Sequence, residues 1–124
     1  MEIIFFKKNK KIKLKKIKLK VKKCGLFGMF RGLMFRLREN APALLLFNFK
    51  KFRRLKIHSL FVFFPFITIW LDDKNKITEI RKVNPWEFCV LPKKKFCKLV
   101  EIPINKKYSE IVSFLVGDAK PKKF

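Results

Sequence analysis

One histidine, His58, stands beside Ser59 in an apolar stretch of this 124-residue chain. An imidazole exchanges a proton near neutral pH, so His58, Ser59 and Arg36 could form a small polar site for hydrolase-like or ligand-modifying chemistry. Such a site needs a concave pocket, an exposed His58 and a second titratable group within hydrogen-bond reach. The sequence offers no such second group nearby, and a packed imidazole with a backbone partner is the structural alternative. No residue is therefore assigned a catalytic role.

Anion recognition has more residues to draw on. Arg31, Arg36 and Arg38 lie in a stretch that also holds Gly28 and Gly32. Guanidinium groups grip phosphate or carboxylate with two parallel hydrogen bonds, and glycine lets a backbone come close to a ligand. No Walker-type or G-x-G-x-x-G pattern accompanies them. Alternatively, Leu33, Met34 and Phe35 plug a core while the arginines are solvated or pair with Glu39 or Glu101. Arg53 and Arg54, in a basic turn from Lys50 to Lys56, extend the candidate binding set, as does His58.

Residues 11–23 read KIKLKKIKLKVKK. Their apolar positions scatter around a helix but alternate with period two, with the phase flipping at Lys15–Lys16. That pattern predicts a strand with a bulge, or a break between two strands. Lys11, Lys13, Lys16, Lys18, Lys20 and Lys22 would then form a basic face, with side chains about 6.6–6.8 Å apart. Such a ladder could track a phosphate backbone, or it could simply discourage edge-to-edge aggregation.

Trp70, Trp86 and the 16 Phe could stack bases beside these cations, although alternation assigns most of them to a core. Phe61, Phe63 and Phe66 could instead form a subunit-interaction patch, which predicts a large exposed apolar surface. Asp72, Asp73 and Glu79 fall in a turn and its return strand, crowded by Lys74 and Lys76, where turn chemistry accounts for the first two. Cys24, Cys89 and Cys97 form an odd set without a C-x-x-C pair. A Cys89–Cys97 bridge and buried free thiols are both open; one histidine and three scattered cysteines are a poor zinc set. Neither a metal nor a cofactor is expected.

The elements that must position these residues are mostly strands. Ala43 to Phe52, Ile57 to Phe64, Phe66 to Leu71, Lys76 to Val83 and Phe96 to Pro103 are rich in β-branched and aromatic residues. Asp72 to Asn75 reads as a hairpin turn, and Pro85-Trp86 and Pro92 mark bends. Residues 24–40 read as a packed loop with a helical turn, and Asn105 as the cap of a short helix through Phe114. Six to eight short strands predict a mainly β class: a single compact β-sandwich-like or barrel-like domain with one or two short helices.

The chain carries 32 Lys and Arg against 9 Asp and Glu, a formal charge of +23. Residues 1–56 hold 19 basic and 2 acidic side chains; the rest hold 13 and 7. This asymmetry points to a polyanion partner for the first half: nucleic acid, an acidic membrane surface or an acidic protein. A small anionic ligand is the other partner considered. Lys, Phe and Ile are all abundant, as AT-rich coding would also make them. The longest apolar stretch, Leu60 to Leu71, has 12 residues. A membrane helix needs about 20, so no transmembrane segment is expected. At the start, Ile3 to Phe6 precede the lysines, the reverse of a secretory signal. A cytoplasmic location is expected.

Four groups of residues, taken together, resemble one family, the domain of unknown function 192 (uncharacterised protein family 0127). Arg31-Gly32-Leu33-Met34-Phe35-Arg36 is similar to its RGLMFR signature, and Leu45-Leu46-Phe47 with Phe49 to its LLFxF strand. Ile57-His58-Ser59-Leu60-Phe61, running to Phe64-Pro65 and Trp70-Leu71-Asp72, resembles an archaeal-type form of its central motif. Pro85-Trp86, Leu99-Val100-Glu101-Ile102-Pro103 and Val116-Gly117-Asp118 are similar to its PW, LELP and VGD elements. The resemblance covers about residues 17 to 118. It implies a compact, mostly β domain without an agreed activity, flanked by a basic strand or extension over 1–16 and a Lys-rich tail over 119–124. Two positions depart from the pattern: Ile67 stands where an acid is common, and Ile104-Asn105 where a glycine is. The resulting expectation is a non-catalytic binding domain with an anion-recognising face. An enzyme around His58, Ser59 and Arg36, or a nucleic-acid binder using the Lys ladder, is the alternative.

Overall fold

Apolar runs without alternation demand burial on both faces, and two strands meet that demand at the centre of the molecule. The computed structural model describes residues 2–8, 14–23, 33–34, 36–87 and 89–116. Among them are seven strands: β1 (Glu2–Lys8), β2 (Leu14–Lys20), β3 (Lys22–Lys23), β4 (Leu44–Arg53), β5 (Phe66–Leu71), β6 (Ile77–Val83) and β7 (Phe96–Pro103). One helix follows, α1 (Ser109–Val116), and a single 3-10 turn covers Arg38–Asn40. No helix of the described residues is long and apolar enough to cross a membrane.

β1 and β2 form an antiparallel hairpin. The other strands make one sheet in the order β3-β4-β7-β5-β6. Only β3 and β4 pair in parallel; the remaining neighbours are antiparallel. Every residue of β5 is buried, and in β7 only Lys98 is partly exposed. Such two-sided burial explains why both sequences lack alternation.

The hairpin and α1 cover one face of this sheet. Ile3, Ile17, Leu19, Val112 and Leu115 pack there against Leu45, Ile69, Val100 and Ile102. Loops cover the other face. Leu33, Ala41, Ile57, Val62, Phe64 and Val90 close over Leu44, Phe66, Trp70, Phe96 and Leu99. The architecture is thus mainly β and sandwich-like, with no closed barrel among the described residues. Buried Asn105 ties the layers together. Its amide donates to the carbonyls of Arg38 (2.8 Å) and Ala41 (3.3 Å), and its Oδ1 accepts from Tyr108 N (3.2 Å). The Tyr108 hydroxyl in turn accepts from Ala43 N at 2.9 Å. Asn105 therefore organises the approach to α1 rather than capping a helix at once; α1 starts at Ser109.

Two local expectations change. β2 runs through Lys15–Lys16 without a register shift, because β1 pairs with it residue for residue from Lys20 to Leu14. The break falls at Val21, where the chain passes from the hairpin to the main sheet. Ile57 to Phe64 is not a strand either. It pairs only through the isolated Ile57↔Val90 bridge, and Phe61 takes a positive φ of 59°.

Candidate functional site

Ser59 is fully buried and works as a clamp. Its hydroxyl donates to Asn84 O and accepts from Glu87 N, both at 2.6 Å. Its amide donates to Glu87 O (2.8 Å), and its carbonyl accepts from Trp86 N (2.9 Å) and Val62 N (3.1 Å). The Glu87 carboxylate completes the knot by accepting from Asn84 N at 2.7 Å. His58 beside it is exposed, and its Nδ1 accepts from Leu60 N at 3.2 Å. The Ser59 proton is thus engaged by a carbonyl, and no hydrogen bond joins Ser59 to His58. Among the described residues these two do not form a nucleophile–base pair.

The clamp belongs to a longer ribbon of two chain segments. Arg53 lies opposite Phe96 in the β4–β7 register. Arg54 Nε donates to Pro92 O at 2.7 Å. Ile57 and Val90 exchange backbone hydrogen bonds of 2.9 and 2.8 Å, and Ser59 meets Glu87 beyond them. This pairing brings Lys50, Lys51, Arg53, Arg54 and Lys56 to the same end as Lys93, Lys94 and Lys95. All eight are exposed. Neither 50–57 nor 90–96 contains an acid. A carboxylate reaches this end from β6: Glu79 pairs with Arg81 at 2.5 Å and accepts from Lys93 N at 2.8 Å. Phe47 and Phe49 stack behind the cations with centroids 5.3 Å apart, and the Arg53 guanidinium lies 5.5 Å from the Phe49 ring centroid.

The other predicted cations lie elsewhere. Arg38 Nε donates to Ile104 O at 2.7 Å, just past the end of β7, whereas Arg53 sits at its beginning. Eight residues of strand separate the two ends, roughly 26 Å at about 3.3 Å each. Arg38 and Arg53 are therefore not brought together at one end of β7. Arg36 is half-buried. Lys18, Lys20 and Lys22 are exposed and alternate with buried Ile17, Leu19 and Val21, as the ladder requires. Lys18 and Lys20 line an open groove of about 680 Å³ with Lys107, Glu110, Ile111 and Phe114 of the helix side. Arg31, Lys11, Lys13, Cys24, Gly28 and Gly32 lie outside the described residues, and the side chain of Lys16 is not described either.

Cys89 and Cys97 are free thiols, the first exposed and the second buried. Burial pushes the Cys97 thiol up, helped by the Asp73 and Asp72 carboxylates. The Asp72 carboxylate serves its own turn, accepting from Lys74 N (2.9 Å) and Lys76 N (2.8 Å). No group of three His, Cys, Asp or Glu able to hold a metal occurs among the described residues. Glu101 is buried in β7 between Leu44 and Thr68 of its neighbours, and burial pushes its carboxyl up to about 8. Sequence reasoning offered Glu101 as an arginine partner and as part of the LELP-like element; Arg31, one of those arginines, lies outside the described residues. Sequence reasoning also missed Lys93 to Lys95, which a plain count of consecutive lysines would have flagged.

Of the residues considered for a subunit-interaction patch, Phe66 is core, at 1% exposure. Phe61 and Phe63 are exposed and meet Trp86, with ring centroids 4.9 and 6.2 Å apart. Phe61 and Trp86 both carry positive φ, 59° and 64°. For bulky side chains this is a strained conformation costing on the order of 1–3 kcal/mol, held only where surroundings impose it. The Ser59 knot supplies that restraint.

Among solved structures, the fold is similar to that of a "putative transcription regulator" from Sinorhizobium meliloti 1021. The TM-score is 0.64 over 97% of this chain and 87% of that chain, at 14% identity, a likeness of fold alone. No curated protein matches the chain. Residues 7–106 match the profile of DUF192, described as "Uncharacterized ACR". A match over most of the chain, spanning its LLFxF, PW and LELP-like elements, makes this chain a member of the domain of unknown function 192 family.

Proposed function

We propose that the chain is a non-catalytic binding domain whose ligand is a polyanion, held on the basic end of the 50–57/90–96 ribbon. The observation that carries this reading is the convergence of eight exposed cations on two paired segments that contain no acid. Cations brought together by tertiary pairing, rather than by a run in the sequence, are the kind of patch that phosphate backbones neutralise. The stretch around His58, which resembles an archaeal-type form of the family motif, and the free thiols of Cys89 and Cys97 are what support reading the chain as an archaeal-type, cytoplasmic member. A second reading has its own observation. The groove places Lys18, Lys20 and Lys107, three cations against the single carboxylate of Glu110, beside Ile111 and Phe114, which suits a small anionic ligand with an apolar part.

Binding of labelled duplex DNA and of labelled RNA, titrated with salt, tests the main reading. Nearly any chain of this charge binds at low salt, so the informative range is about 150–200 mM. The protein should retain binding there. Replacing Lys51, Arg53, Lys94 and Lys95 with Glu should abolish it. The slope of log affinity against log salt should also flatten, by about 0.9 for each duplex phosphate no longer neutralised. Unchanged affinity in that variant would refute the ribbon as the binding surface. Transfer of the effect to Lys18→Glu and Lys20→Glu would favour the groove.

A further inference from the structure

At the far end of the same ribbon, Phe61, Phe63 and Trp86 are 41, 60 and 47% exposed. They are not leftovers of a poorly filled core. Val62 and Phe64, from the same loop, are 2% exposed and fill the layer beneath. Phe61 and Phe63 instead each meet the Trp86 ring edge to face, at interplanar angles of 63° and 64°. Two of the three sit on positive-φ backbone, and fully buried Ser59 fixes both loops from below. A rigid, prearranged aromatic cluster in water, maintained against backbone preference, points to a ligand that uses ring faces.

The cluster is continuous with the cations. The pairings Arg53↔Phe96, Arg54–Pro92, Ile57↔Val90 and Ser59–Glu87 lead without interruption to Trp86. Phe61 lies seven positions on from Arg54, about 23 Å along a fully extended strand. Between them His58 is exposed, and the hydrogen bond from Leu60 N to its Nδ1 leaves Nε2 as the ring's donor when neutral.

We propose that Phe61, Phe63 and Trp86 form a stacking platform for unpaired bases, so that the polyanion is a single-stranded nucleic acid with its phosphates along the cationic end. This assignment rests on the polyanion-binding reading. Base faces are available to aromatic side chains only where strands are unpaired; a duplex keeps them stacked on one another. A neutral carbohydrate would use the rings but leave eight cations without purpose. A second copy of the chain would bring like-charged ribbons together.

The full chain with three probes at about 150 mM salt provides the test: a 12-nucleotide oligouridylate, a duplex of the same length, and inorganic polyphosphate. Trp70 is fully buried, so Trp86 is the tryptophan a ligand can reach. The oligonucleotide should bind more tightly than the duplex and quench that fluorescence, whereas polyphosphate should bind without quenching. Phe63→Ser is the variant of choice, because Phe63 is exposed and carries no positive φ. It should weaken oligonucleotide binding by about tenfold and leave polyphosphate binding unchanged. Tighter binding of the duplex, quenching by a neutral oligosaccharide, or a Phe63→Ser variant that binds oligouridylate like the parent would overturn the platform while leaving polyanion binding standing. Failure of the parent to bind any of the three probes would remove both.

Discussion

Glu101 occupies a position where neighbouring strands offer Leu44 and Thr68, and burial pushes its carboxyl to about 8. In the unfolded chain the same group titrates near its ordinary 4.5. Below 4.5 the acid is protonated in both states and costs nothing electrostatic. Between 4.5 and about 8 the unfolded state releases the proton and the folded state keeps it. Stability therefore falls with rising pH by about 1.4 kcal/mol per unit in that window. Denaturant unfolding between about pH 5 and 9 should show this decline. Glu101→Gln keeps the shape without the ionisation, so it should flatten the slope and be the more stable protein at the alkaline end. A parallel decline in both proteins would place the titrating group elsewhere. Ser59 gives a second test at this scale. Ser59→Ala removes one donor and one acceptor at a fully buried site and leaves Asn84 O and Glu87 N short of a partner. A loss of about 1–3 kcal/mol is expected, read from the same unfolding curves. Trp86 fluorescence should also shift as its loop loosens. A stability loss with unchanged Trp86 emission would separate the hydroxyl from control of the aromatic cluster.

At the scale of elements, what was legible depended on whether the determinant was local. β5 and β7 were readable to their end residues, because an apolar β-branched run has one way to be buried on both faces. The 72–75 turn was readable because Asp72 bonds to amides two and four residues on. Ile57 to Phe64 was not readable. Its composition says strand, but its path is set by Ser59 bonding to Asn84 and Glu87, 25 and 28 residues away. The arginines divide in the same manner. Arg53 and Arg54 were recognisable as a basic turn, whereas their joining to Lys93–Lys95 depends on β4 and β7 meeting across the sheet. Arg38 had the credentials of an anion ligand, yet its Nε serves a carbonyl 66 residues away. Asn105 carries the matching prediction. Its amide holds the Arg38–Ala41 segment to the approach of α1, through three buried or part-buried hydrogen bonds. Asn105→Ala removes them all and should cost about 2–4 kcal/mol in chemical unfolding. Asn105→Asp keeps the acceptor for Tyr108 N but not the two donors, and should recover only part of that stability.

For the whole molecule, +23 on 124 residues is a standing electrostatic load. Like charges repel more strongly in the compact state than in the expanded one, so screening should stabilise the fold. Thermal midpoints are therefore expected to climb with added sodium chloride from about 20 to 300 mM. A bound polyanion relieves the same load at one place, and binding to the native state adds stability by mass action, about 2.7 kcal/mol at a hundredfold excess over the dissociation constant. Salt acts on the two contributions with opposite sign. It raises the midpoint of the free protein, and it weakens the complex through counterion competition. Midpoints measured with and without oligouridylate should thus lie far apart at low salt and converge as salt rises. In the protein with Lys51, Arg53, Lys94 and Lys95 all replaced by Glu, the gap should be small throughout, while the climb of the free protein is itself shallower because the load is smaller. A ligand increment that does not shrink with salt would mean that interactions other than those with phosphates hold the strand, and would shift the weight of recognition from the cationic end of the ribbon to its aromatic end.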